Sequence, residues 1–321
     1  MFVWINFLRM IKFGIIGSDR HLHQLAHLVK NTAEFELTGW YDDNFEKGNT
    51  IDFPGLITYP SIDALFRYVD AVAISCKSDN PVSIVCNCLK HFKHVFLTDA
   101  QCLKYHDYNY ILKIAEESNV KFYPEFGSFI PDKIENLIPN VKDVQFIDIN
   151  HTFSLNEGIC VDGRLSLALL RDINFITNFL KANVKKINAN GWGFCEPGAG
   201  MLNAKIDFDN GASANLLLVN SIKPRQIQTV LYGKSEIVRI NSIDNIFQIS
   251  HESLTNGQVG CFEKIYAADS FLLYELNLFM SYIQNKPHGL CLIDNKCKSI
   301  KTTHLIHEKI DHIASSTIFY S

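Results

Sequence analysis

Along the first third of the chain, apolar positions come in two alternating rhythms. The run 11–17 is nearly continuous in apolar residues and ends in Gly17, as a buried parallel strand does. Leu22, Leu25, Ala26, Leu28 and Val29 then recur at helical spacing and predict a helix. The same exchange repeats through a strand at 35–42, a helix at 61–68 and a strand at 71–75. Pro81 opens another helix, in the first turn where proline is tolerated. A strand at 94–99, a helix at 107–118 with Asp107 at its cap, and a strand at 120–123 complete the series. Strands alternating with helices in this way predict a doubly wound parallel sheet.

The pattern changes near 125–132. Residues 141–155 alternate polar and apolar, and a strong helical stripe follows over 165–180. Asn210-Gly211, between the strands 204–209 and 212–219, predicts a tight hairpin with two positive φ values, and Gly233-Lys234 predicts a second. A long amphipathic helix covers 270–284. The expected architecture is α/β: a Rossmann-type domain at 10–126, then an α+β domain at 127–321 with an open, mainly antiparallel sheet.

Composition narrows the function classes. The 321 residues are 47% hydrophobic and 20% charged, enough for two cores and incompatible with disorder. A net charge of −4 advertises no nucleic-acid or anionic-membrane partner. No apolar stretch reaches the length of a membrane span, and the first positive charge, Arg9, follows the apolar start instead of preceding it. The nine cysteines contain no C-x-x-C pair and read as buried thiols of a cytoplasmic protein. Met10, directly before the first strand, is an alternative start to Met1.

The opening strand with Gly17, the strand end Trp40-Tyr41-Asp42, the Lys93-His94-Val95 segment and the Phe208–Ala212 hairpin, taken with the element order, identify a resemblance. The chain resembles the glucose–fructose oxidoreductase / inositol dehydrogenase / MocA family of oxidoreductases. That resemblance implies NAD(P) binding, hydride transfer at a carbon–oxygen centre of a sugar-like small molecule, and a homo-oligomer formed through the second-domain sheet.

The cofactor fingerprint G-x-G-x-x-G is kept only at Gly17. Asp19 replaces the second glycine and His21-Leu22 stand near the third. A carboxylate there repels phosphate by about 3 kcal/mol per charge pair at ~5 Å and an effective dielectric of ~20. Ser18 or Asp19 can instead cap the helix, and Arg20 can offset part of the repulsion. Asp42, closing the second strand, suits ribose hydroxyls and favours NAD over NADP, or else belongs to an Asp42-Asp43-Asn44 turn. The expected cofactor contacts are Gly17, Ser18, Arg20 and Asp42.

The family's catalytic lysine position reads Asp99 here, and its histidine position reads Arg171 or Phe175 according to alignment. Arginine is no base. Asp99 and Glu125 follow predicted strands at the carboxyl edge, where open α/β sheets bind ligands. With Arg171 they are the candidate catalytic residues, or they form a salt bridge filling an old active site. His23 and His27 lie at i, i+4 and read as solvent-facing; no metal site is expected. The expected function is that of an oxidoreductase-family protein with weakened or lost standard catalysis. The alternatives are a non-catalytic binding or scaffold protein and a cofactor-independent enzyme using Asp99 or Glu125.

Overall fold

The computed structural model describes residues 10–42, 55–75, 80–98, 100, 103–126, 143–154, 161–192, 200–221, 226–243, 246–253, 259–265 and 268–317. They form two compact units, one of residues 1–126 with 269–293, the other of 127–268 with 294–321. Residues 269–293, expected with the second domain, thus belong to the first unit.

The first unit is built on a six-stranded parallel sheet of order β3-β2-β1-β4-β5-β6. Its strands are β1 (Ile11–Ile16), β2 (Phe35–Tyr41), β3 (Ile57–Thr58), β4 (Ala71–Ser75), β5 (His94–Thr98) and β6 (Phe122–Pro124). Every residue of β4 is buried, as a central strand covered on both faces requires. The helices are α1 (Arg20–Lys30), α2 (Ile62–Phe66), α3 (Pro81–Lys90) and α4 (Tyr105–Glu117). α1 forms because Leu22, Leu25, Ala26 and Val29 make one buried stripe, and Asp19 caps it. Asp107 lies in the first turn of α4 and not at its cap, which Lys104 occupies without a side-chain hydrogen bond. Gly14 is required by close packing: a Cβ there would lie 2.9 Å from Val69 Cγ1.

Within the same unit, α6 (Ala268–Ile283) covers an aromatic cluster. Phe279 meets Phe13, Phe96 and Tyr123 at ring distances of 6.3, 5.5 and 5.8 Å. The Tyr123 hydroxyl donates to the buried Glu275 carboxylate at 2.7 Å.

The second unit carries an eight-stranded sheet of order β14-β13-β12-β11-β7-β10-β9-β8. The strands are β7 (Phe146–Ser154), β8 (Val184–Trp192), β9 (Met201–Phe208), β10 (Ser213–Ser221), β11 (Gln226–Tyr232), β12 (Glu236–Ile243), β13 (Ile246–Ser253) and β14 (Val259–Ile265). Only β7 and β10 pair in parallel; the other pairings are antiparallel. One face buries Ile147, Ile149, Ala214 and Leu216, with α5 (Val161–Leu180) packed on β7 and β10. α7 (Pro287–Thr317) ends the described chain. The β9–β10 hairpin departs from the tight two-residue form. Gly211 alone takes a positive φ, +87°, and its N–H donates to the Phe208 carbonyl at 3.2 Å. Asn210 instead uses its side-chain oxygen to accept from the Ala212 N–H at 3.0 Å.

Candidate functional site

The order 3-2-1-4-5-6 reverses direction between β1 and β4, and open α/β sheets bind ligands outside the carboxyl ends of such strands. Gly17 makes the turn from β1 with φ +106°. Its N–H donates to the Tyr41 carbonyl at 2.8 Å, and its carbonyl accepts from Trp40 Nε1 at 2.8 Å. The buried Trp40 ring therefore fixes this turn from below.

Asp19 then sits on the first turn of α1. One carboxylate oxygen accepts from the Leu22 N–H at 2.9 Å, and the other accepts from the Ser75 hydroxyl at the end of β4. A helix N-terminus presents orphan N–H groups and the positive end of its dipole, the features that hold a phosphate in this fold. Here the protein's own carboxylate occupies that position and is anchored on both oxygens. A carboxylate there carries charge of the same sign as a diphosphate. Arg20 opens α1 and is exposed. Ser18 is half-buried beside it.

Asp42, directly after β2, is 7% exposed, and a carboxylate in this place is compatible with a ribose diol. Glu125 follows β6 and is buried, with its backbone bonded to Leu97 and Ala100. Asp99 lies outside the described residues, as do Asp43 and Asn44.

In the second unit, α5 carries a half-buried Arg171, with Asn174 and Phe175 buried. The Asn174 side-chain oxygen has no hydrogen-bond partner among the described residues. Asn178 accepts from Asn295 at 2.9 Å. Glu125 and Arg171 belong to different units.

Two features are not anticipated by sequence reasoning. Ser75 completes the Asp19 anchor. His151, on the buried face of β7, points its Nδ1 at Asp172 of α5 at 3.5 Å and stacks on Phe153. Their side chains are 0% and 4% exposed, so this buried pair joins sheet to helix. Alternation along β7 marks position 151 as inward-facing, which is the signal a sequence reader can use. His23 and His27 meet edge to face at 4.8 Å, and no group of three metal-ligating side chains occurs among the described residues. No described helix is long and apolar enough to cross a membrane.

Residues 11–126 match the sequence profile described as "Oxidoreductase family, NAD-binding Rossmann fold". No curated protein sequence matches the chain. Solved structures share the fold along nearly the whole length. A dehydrogenase from Chromobacterium violaceum superposes with a TM-score of 0.80 at 13% identity, covering 97% of this chain and 98% of its own. UDP-N-acetylglucosamine 3-dehydrogenase from Acidithiobacillus ferrooxidans gives 0.74 at 15%, covering 94% and 98%. A 3-ketoreductase from Actinomadura kijaniata, solved with NADP and TDP-benzene, gives 0.72 at 13%, covering 94% and 98%. At such identities the likeness is one of fold. Over residues 11–126 the chain is similar to the glucose–fructose oxidoreductase / inositol dehydrogenase / MocA family of oxidoreductases, with its NAD-binding Rossmann fold.

Proposed function

We propose that this protein is a divergent oxidoreductase-family protein that holds a small, sugar-like ligand and has weakened or lost nicotinamide-dependent hydride transfer. One observation carries the reading: Asp19 is bonded through both carboxylate oxygens at the α1 N-terminus. The missing lysine and histidine, replaced by Asp99 and by Arg171 or Phe175, act in the same direction. The sugar nucleotide in the name of one structural neighbour, UDP-N-acetylglucosamine 3-dehydrogenase, suggests the ligand class. Where a nicotinamide cofactor does bind, Asp42 favours NAD, since a second carboxylate repels a 2′-phosphate. Asp99 and Glu125 of the first unit remain proposed ligand contacts, and Arg171 is a separate proposed contact of the second unit.

Fluorescence tests the reading. Trp40 touches the Gly17 turn, so cofactor bound there lies within energy-transfer range. Titration with NADH or NADPH is expected to give no saturable transfer below the millimolar range. Asp19→Gly, which restores the second fingerprint glycine, is expected to bind NADH at least tenfold more tightly, the order set by relieving one or two like-charge contacts. Micromolar binding by the unaltered protein overturns the proposal.

A second reading, an oligomeric scaffold, draws on the outer face of the second sheet. There Asn215 and Asn150 donate to the two oxygens of Asp148 at 2.8 and 3.0 Å, and Asn203 donates to Asn215 at 3.0 Å. This half-buried, pre-satisfied polar network suits the face to a homo-oligomeric contact. Sedimentation that finds only monomer removes this reading.

A further inference from the structure

At the opposite end of β1 and β2 from Gly17 and Asp42, a cavity of about 310 Å³ opens between α1 and β2. Its helix wall is the stripe His23, Ala26, His27 and Lys30, spaced so that all four lie on one face. Its floor is apolar, formed by Phe35, Leu37 and Leu56, and Met10 stands at one end 49% exposed. Among the described lining residues, three side chains able to carry positive charge, His23, His27 and Lys30, face one acid, Glu36. The helix dipole accounts for basic residues near the end of α1 but not for an apolar trench beside them.

We propose that this trench is a ligand site for a small organic anion with a flat apolar body, its anionic head taken by Lys30 and His27 and its body laid on Phe35, Leu37 and Leu56. The volume matches a two- or three-ring molecule, and apolar lining with a few polar groups is the usual make-up of such pockets. Charge-assisted contacts to Lys30 and His27 set the orientation. The site is independent of cofactor binding at the carboxyl edge.

The probe is 1-anilinonaphthalene-8-sulfonate, an apolar-bodied anion whose emission rises on leaving water. Titration of the whole protein is expected to show one saturable site per chain, unaffected by NADH. The combination His27→Ala with Lys30→Met is expected to weaken it roughly fivefold or more, and Glu36→Gln to tighten it about twofold, in line with charge-assisted binding. His27, Lys30 and Glu36 are exposed, so these variants are expected to melt as the unaltered protein does. Non-saturable binding, or equal affinity in all three proteins, overturns the proposal.

Discussion

The carboxylate of Asp19 caps α1 with one oxygen and binds Ser75 with the other, and under the proposed function the same group repels a diphosphate. Asp19→Asn separates these effects, because asparagine caps as well as aspartate but carries no charge. That variant is expected to keep its stability within about 1 kcal/mol, whereas Asp19→Ala loses about 0.5–2 kcal/mol; urea denaturation distinguishes them. His94 gives a pH signature. Burial, and then the nearby Lys121, holds its imidazole down at about 4. Its Nδ1 accepts the Lys121 N–H at 2.9 Å. In the unfolded chain the ring titrates near 6.5, so unfolding takes up a proton between the two values. Stability therefore falls as pH drops from about 6.5 towards 4. His94→Gln, which keeps an acceptor without titrating, is expected to show a smaller fall in urea midpoint over that range. Burial also pushes the Cys86 and Cys88 thiols up, which keeps them unreactive in the folded protein.

Among the elements, strong periodicity was legible and weak signals were not. α1, β4 and α3 stand where spacing and Pro81 place them, because each buries a full stripe or face. β3 leaves no signal in the sequence: two exposed residues, Ile57 and Thr58, carry no alternation, and pairing with β2 is what makes them a strand. The positive φ predicted at Asn210 is absent because its side chain satisfies the Ala212 N–H and leaves the left-handed position to Gly211 alone. The site divides likewise. Asp19 as a cap follows from local chemistry, but its Ser75 partner is 56 positions away and meets it only because β1 and β4 are neighbours. Packing at Gly14 yields a prediction: Gly14→Ala presses on Val69 and Leu65 and is expected to cost about 1–3 kcal/mol, measured by thermal melting.

For the molecule as a whole, the first unit is discontinuous in sequence. A fragment of residues 10–126 lacks Phe279 and Glu275, leaving the Phe13, Phe96 and Tyr123 rings uncovered. It is expected to lose cooperative melting, and adding residues 269–293 as a separate peptide is expected to restore part of it. The same arrangement dictates an order of events during synthesis. Domains commonly fold as they leave the ribosome, the amino-terminal one first. Here the helix that closes the aromatic cluster begins at Ala268. The parallel sheet must wait for it, with its aromatic side uncovered, while some 140 intervening residues are translated, about 7–28 s at ~5–20 residues per second. During that interval the nascent chain is a client for whatever binds exposed aromatic surface, and slowing translation within 127–268 prolongs the exposure.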